Sequence, residues 1–234
     1  MLMTSKAKLA VVLYCAFTVT TYRAAAVVES PLETVIGSAY DLSSGKLVYR
    51  EYHFCDVVSN QCSVDYRDVA GKLIAQKLLD YSSGPHNPTL VMKDFRQDEG
   101  TSQTLTGKSD WVVDAGFDNY VRSKWDALDA GEPVKFPFLV LGFEKPLKMR
   151  AQRSGIKGCI VEELCLEIVL DSWFLGLLVD PIALSYSRSD RKLLRFRGIS
   201  NIRDVNGESL NVDIVYQYTD KTAAIEPAAP DSKR

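Results

Sequence analysis

Residues 208–218 read ESLNVDIVYQY and follow directly on the dipeptide Asn206-Gly207. Leu210, Val212, Ile214, Tyr216 and Tyr218 fall on one side of an extended chain. Asn211, Asp213 and Gln217 fall on the other, with Val215 the one apolar residue out of place. A period of two belongs to a strand with one face buried and one face wet. Asn-Gly supplies the left-handed backbone of a tight hairpin turn, so this strand has an antiparallel partner just upstream. That partner is read at 192–198, which itself follows 182–187 across Ser189-Asp190.

The same grammar extends through the chain. Residues 34–42 (TVIGSAYDL) pass through Ser43-Ser44-Gly45 into 46–57, and 62–67 and 72–82 flank a turn at 68–71. Residues 89–96, 133–143, 146–153 and 163–171 read as further strands. A weak repeat links three of the hairpins. Tyr40-x4-Gly45-Lys46-Leu47 matches Tyr66-x4-Gly71-Lys72-Leu73, and Tyr186-x4-Arg191-Lys192-Leu193 repeats it with Arg in place of Gly. Each copy carries an aspartate (Asp41, Asp68, Asp190) suited to shaping a turn.

One helix interrupts the strands. Phe117, Val121, Trp125 and Leu128 form an apolar stripe at helical spacing, while Asp118, Arg122, Lys124, Asp126 and Asp129 mostly face away. Asp114 is placed to cap its start, and Gly131 with Pro133 beyond it to end it. A second, short helix is read within Ser172–Val179. The expected fold is mainly β: an antiparallel meander of about ten strands forming a strongly curved sheet or incomplete barrel. One amphipathic helix near 115–130 packs on its concave face. Residues 27–220 form a single β-rich domain, and 221–234 read as a disordered tail.

The chain has 234 residues, is 46% hydrophobic and 25% charged, and carries a formal net charge of -2. That composition excludes collagen-like and wholly disordered classes, and the charge gives no basic excess for nucleic acid. The start is distinctive. Lys6 and Lys8 precede a largely apolar run from Leu9 to Tyr22, and Ala24-Ala25-Ala26 follows. A basic start, a short apolar run and a small-residue site make a secretory signal peptide over residues 1–26. The 14-residue run rises about 21 Å as a helix, short of the roughly 30 Å hydrocarbon core of a bilayer. Contact with a membrane is therefore expected only through this leader, before cleavage. The mature chain would carry 25 basic and 30 acidic residues.

Cleavage removes Cys15 and leaves Cys55, Cys62, Cys159 and Cys165. In an oxidising compartment an even set reads as disulfides. Four cysteines allow three connectivities, and proximity favours Cys55–Cys62 and Cys159–Cys165. The localisation expected is the periplasm, or secretion.

Catalytic patterns are missing: the sequence has no GxSxG, HExxH, P-loop or GxGxxG. Glu51 and His53 lie two apart on one strand face, an acid–base pair in principle, read more simply as a satisfied pair on the sheet surface. Asp110, Asp114 and Asp118 are spaced by four, but Asp110 precedes an extended Trp111-Val112-Val113, so capping and surface charge account for the others. No metal, cofactor or catalytic residue is assigned. More informative are two runs apolar on all sides, Phe136–Phe143 and Trp173–Val179. With the helix stripe, they point to a cavity between sheet and helix lined by Trp125, Phe138, Leu141, Trp173, Phe174 and Leu177.

The segments VVDAGFDNYVRSKWDALDAGEPVKFPFLV (112–140) and PIALSYSRSDRKLLRFRGISNIRDVNGESLNVDIVYQY (181–218) resemble an uncharacterised family of exported proteobacterial proteins. The layout is also similar, as a fold analogy, to periplasmic open-barrel lipoprotein carriers, which implies an apolar groove. The chain departs from lipid-anchored members, because Tyr14 stands before Cys15 where lipid attachment needs a small residue. The function expected is non-enzymatic binding or carriage of a lipid, acyl chain or other apolar small molecule. The alternatives are an envelope-assembly factor with a protein partner and, less directly, a hydrolase built on Glu51 and His53. If the leader reading is right, N-terminal sequencing of the exported protein begins at Val27; retention of Met1 contradicts it.

Overall fold

Six strands open the fold as an antiparallel meander: β1 (Leu32–Asp41), β2 (Leu47–Asp56), β3 (Gln61–Asp68), β4 (Leu73–Asp80), β5 (Thr89–Asp94) and β6 (Thr101–Leu105). Next come β7 (Val112–Val113), α1 (Gly116–Ser123) and α2 (Trp125–Ala130). A second meander closes the chain: β8 (Val134–Leu139), β9 (Leu147–Arg153), β10 (Glu163–Leu170), β11 (Ile182–Ser187), β12 (Leu193–Arg203) and β13 (Ser209–Thr219). This computed structural model describes residues 32–219 apart from 57, 97–99, 156–158, 173–179 and 205. The leader, the tail, the short helix read within 172–179, and Trp173, Phe174 and Leu177 lie outside the described residues.

The two meanders join where β13 pairs antiparallel with β1, from Thr34↔Thr219 to Asp41↔Val212. One sheet of 13 strands results, ordered β6-β5-β4-β3-β2-β1-β13-β12-β11-β10-β9-β8-β7. Its two edges, β6 and β7, are consecutive in the chain. Seven residue steps separate Leu105 from Val112, a reach of about 25 Å at most. The sheet must therefore curl until its edges nearly meet, and it forms a nearly closed barrel. A contact across the gap agrees: the Val113 N–H donates to the carbonyl of His86, between β4 and β5, at 2.9 Å. Gly116 permits the approach, because a Cβ there would lie 2.2 Å from the His86 carbonyl oxygen.

Thirteen strands replace the expected ten or so. Among the described residues, the two that sequence patterning passes over are β6 and β7. Strand β6 reads TSQTL and is exposed at four of its five positions, so it carries no alternation. Strand β7 has two residues and pairs parallel with β8.

The helix also differs from expectation. It breaks at Lys124 (φ -108°, ψ 15°) into two short helices. Val121, Trp125 and Leu128 are buried against Phe136, Met149, Leu164 and Tyr186. However, Asp118, Asn119 and Tyr120 are half-buried as well, so α1 does not divide into one wet and one dry side. Gly131 ends α2 in the left-handed region, at φ 87°.

The repeated hairpins share one geometry. Gly45, Gly71 and Arg191 stand at equivalent positions, with φ of 67°, 85° and 57°. In each hairpin the register slips at the repeat's tyrosine: between Ala39 and Tyr40, between Tyr66 and Arg67, and between Ser185 and Tyr186. A left-handed residue closing the turn, followed by a bulge, strengthens the local twist, as a curled sheet requires. Aspartates fasten the turns. Asp41 accepts from the Ser43 hydroxyl at 2.6 Å, and from the Ser44 hydroxyl at 2.7 Å and N–H at 2.8 Å. Asp68 accepts from the N–H of Ala70 at 3.0 Å and of Lys72 at 2.9 Å. Asp204 does the same for Asn206 at 2.8 Å and Glu208 at 2.9 Å.

Both cysteine pairs form disulfides. Cys55 and Cys62 stand directly opposite on β2 and β3, with Cα atoms 4.1 Å apart. Cys159–Cys165 ties the loop before β10 to that strand, with Cα atoms 6.1 Å apart. Neither α1 nor α2 is long and apolar enough to cross a membrane.

The turns make the fold acid-sensitive. Ser43 and then Ser44 hold the Asp41 carboxyl down at about 2. The Ser82 hydroxyl lowers Asp80, the Ser187 hydroxyl lowers Asp190, and the Glu208 N–H lowers Asp204. A carboxyl whose folded value lies below its unfolded value stabilises fully above the latter and loses that contribution as pH falls. The melting temperature should therefore drop as pH falls from about 4 toward about 2. Thermal melts across that window check this, and an unchanged melting temperature contradicts it.

Candidate functional site

The barrel interior holds two hydrophobic cores rather than one. The first gathers Tyr49, Val64, Tyr66, Leu79, Leu90, Val212 and Ile214, mainly from the N-terminal meander and β13. The second gathers Val121, Trp125, Phe136, Phe138, Leu166, Leu184 and Tyr186 from the helices and β8–β11. Between them lies a cavity of about 640 Å³. Its apolar wall draws on both cores: Val64, Leu79 and Ile214 from the first, and Phe138, Ile168 and Leu184 from the second. Exposed lining residues mark a rim at Asn60, Pro85, Arg122 and Asp190. Three of these lie in the β2–β3, β4–β5 and β11–β12 connections, which strand alternation brings to the same end of the barrel.

A band of polar side chains crosses this interior. Register places Glu51 on β2, Gly37 on β1 and Tyr216 on β13 side by side. The missing side chain at Gly37 lets its neighbours meet. A Cβ there would lie 2.9 Å from Tyr216 Cε1 and 3.2 Å from Glu51 Oε2. Across that gap the Tyr216 hydroxyl donates to Glu51 Oε2 at 3.2 Å, and His53 Nε2 stands 3.0 Å from the same oxygen. Glu51 is buried and His53 half-buried, and both line the cavity. This pair therefore faces inward, not onto the outer sheet surface as the sequence suggested. Beside it the Tyr49 hydroxyl pairs with Ser200 Oγ at 2.7 Å.

The second polar group is an ion pair. Lys77 on β4 donates to Asp114 Oδ1 at 2.6 Å, and Asn201 Nδ2 on β12 donates to Asp114 Oδ2 at 2.8 Å. Lys77 and Asp114 are 6% and 9% exposed, so this pair is held out of water. Asp114 does not cap the helix with its carboxylate as expected. Its carbonyl oxygen accepts from the Phe117 N–H at 3.0 Å, while the carboxylate turns toward Lys77 and Asn201. The backbone stands at φ 38°, a left-handed conformation that aspartate tolerates better than most residues. Asp118 pairs instead with Arg122, so the three aspartates spaced by four do not converge.

Burial raises the phenols well above their usual range. Tyr66 rises through burial and then the charges of Glu51 and Asp114, and Tyr216 through burial and then Glu51. Tyr49 follows for the same first reason, burial. These groups stay protonated, and Tyr216 serves as the donor to Glu51. The Tyr186 hydroxyl is buried without a hydrogen-bond partner among the described residues.

Of the residues expected to line a cavity, Phe138 does. Trp125 is instead packed in the second core, edge-on to Tyr186 at 6.1 Å, with the Arg191 guanidinium 5.2 Å from its ring centre. Leu141 packs on the first core and is not part of the lining. His86, in the connection between β4 and β5, is half-buried beside the Tyr120 ring, with ring centres 5.4 Å apart. Sequence reasoning missed Lys77, Tyr66 and Asn201. One signal was available for Lys77: it stands in phase with Ala75 and Leu79, a charge on the buried face of its strand.

The chain matches no protein-family model and no curated protein sequence.

Replacing Lys77 with Met leaves Asp114 charged, buried and without its counter-ion, at a cost of about 3–5 kcal/mol. Adding Asp114→Asn, which keeps the donor–acceptor shape and suits the left-handed backbone, should recover most of that loss. Urea denaturation of the single and double variants measures both.

Proposed function

We propose that this protein is an exported, non-enzymatic binding or carrier protein for an apolar or amphipathic small molecule of the lipid or acyl-chain class. The observation that carries this reading is the cavity between the two cores, about 640 Å³ with an apolar wall that includes Phe117, Phe138, Leu184 and Phe196. Its size falls within the range of small-molecule sites, and its apolar wall with a few convergent polar groups is their usual composition. The disulfides support export, because such bonds persist in oxidising compartments. The resemblance to exported proteobacterial proteins and to open-barrel carriers supports a periplasmic site of action as part of this reading.

Solvent extraction or native mass spectrometry of protein purified from the periplasm should recover a bound amphiphile. Leu193 lines the cavity and is half-buried, so Leu193→Trp should occupy part of it and reduce the recovered amphiphile several-fold. Protein that yields no bound molecule and binds no added amphiphile contradicts the proposal.

A further inference from the structure

Three charged side chains are buried among the described residues: Glu51, Lys77 and Asp114. Two of them cancel, because Lys77 meets Asp114 at 2.6 Å, with Asn201 completing the pair. Glu51 is left with His53, half-buried and 3.0 Å away. An imidazole is a cation only when protonated, so Glu51 has no permanent counter-ion among the described residues. Buried carboxylates normally have one.

The Glu51 carboxylate is also bonded unevenly. The Tyr216 hydroxyl and His53 Nε2 both meet Oε2, at 3.2 Å and 3.0 Å. No described residue hydrogen-bonds to Oε1, and the nearby Tyr49 hydroxyl is engaged with Ser200 Oγ at 2.7 Å. Directly opposite Glu51 on β3 stands Tyr66, 4% exposed, and no described residue hydrogen-bonds to its hydroxyl. A phenol oxygen accepts as well as donates. Glu51 and Tyr66 both line the cavity. Buried polar atoms are normally satisfied, and leaving them unpaired is costly. Two vacant acceptors beside an unmatched negative charge suit a donor that is itself charged. A hydroxyl brings a donor without charge, and a quaternary ammonium brings charge without a donor. A primary ammonium brings both. Glu51 lies about 17 Å along β2 from Asp56, where the strand meets the β2–β3 connection at the rim. An ammonium reaching Glu51 therefore enters first, and an alkyl chain behind it runs past Val64 and Leu79 toward the mouth.

From this we infer that the cavity is a site for amphiphiles ending in a primary ammonium. Glu51 Oε1 is the counter-ion and first acceptor, and the Tyr66 hydroxyl oxygen is the second acceptor. This rests on the apolar-binding reading above and names its ligand class.

Displacement of the uncharged fluorophore N-phenyl-1-naphthylamine from the purified full-length exported protein tests it. The competitors are dodecylamine, dodecyltrimethylammonium, dodecanol and dodecanoate, at neutral pH and physiological ionic strength. Dodecylamine should displace the fluorophore at about tenfold lower concentration than any of the other three, because a charge-assisted hydrogen bond is about twice as strong as a neutral one. Dodecyltrimethylammonium separates this from simple attraction to an acidic surface, since it carries the same charge with no N–H. Glu51→Gln removes the charge, keeps the shape, and should bring dodecylamine to within about twofold of dodecanol. The order of competitors is read on the wild-type protein, so the test stands even if the variant fails to fold. Dodecanol, dodecanoate or dodecyltrimethylammonium binding as tightly as dodecylamine, or a folded Glu51→Gln protein that retains the preference, overturns the inference and leaves the apolar-binding reading intact. Failure of the fluorophore and all four competitors to bind removes both.

Discussion

The Lys77–Asp114 ion pair, completed by Asn201, is the contact on which the rest of the architecture turns. The sheet ends at β6 and β7 and does not close on itself by hydrogen bonds. Beyond the β7–β8 pairing, Asp114 ties β7 and the start of α1 to the rest of the sheet, its two oxygens meeting β4 on one side and β12 on the other. Burying such a pair costs desolvation, and it persists only where geometry and further hydrogen bonds compensate. Both oxygens of Asp114 are satisfied here, and an uncommon backbone conformation at φ 38° is retained to aim them. The helices hang from this point, and the side of α1 carrying Asp118 and Arg122 becomes part of the cavity lining.

The cavity follows from the same division of the chain. Each meander buries the inner faces of its own strands, and the β1–β13 pairing joins them on one side only. With a short two-part helical insert between them, the two cores do not merge, and space remains. The polar band within it depends on one absent side chain. At Gly37 the chain leaves room for the Tyr216 hydroxyl to reach Glu51 over the intervening strand. A side chain there would force its neighbours apart by steric contact alone, since packed interiors have little slack.

Much of the sheet was legible in the sequence. Residues 208–218 alternate cleanly and form β13, and Asn206-Gly207 forms the turn before it, with Gly207 at φ 85°. The three repeated hairpins share a left-handed turn residue and a bulge, because the turn chemistry is local and is written in consecutive residues. The cysteine pairs were legible for the same reason. Strand β6 was not, because an exposed polar edge strand has no buried face to mark it. Nor was the role of Asp114, since a capping position and a buried ion pair look alike until the partner is known. Trp125 looked like a cavity residue because apolar residues signal burial without saying what they are buried against.

By itself, then, the sequence determined the antiparallel meander, its turns and its two disulfides. All of these depend on neighbours within a few residues. The tertiary structure decided that the sheet curls until its edges almost meet, that Lys77, Asp114 and Asn201 converge, and that Glu51 and His53 face a cavity rather than solvent. Lys77 and Asp114 are 37 positions apart, and Asn201 is another 87 beyond. Contacts at such separations exist only once the strands between them have been placed. No periodicity in the chain records which side chains will meet inside a closed surface.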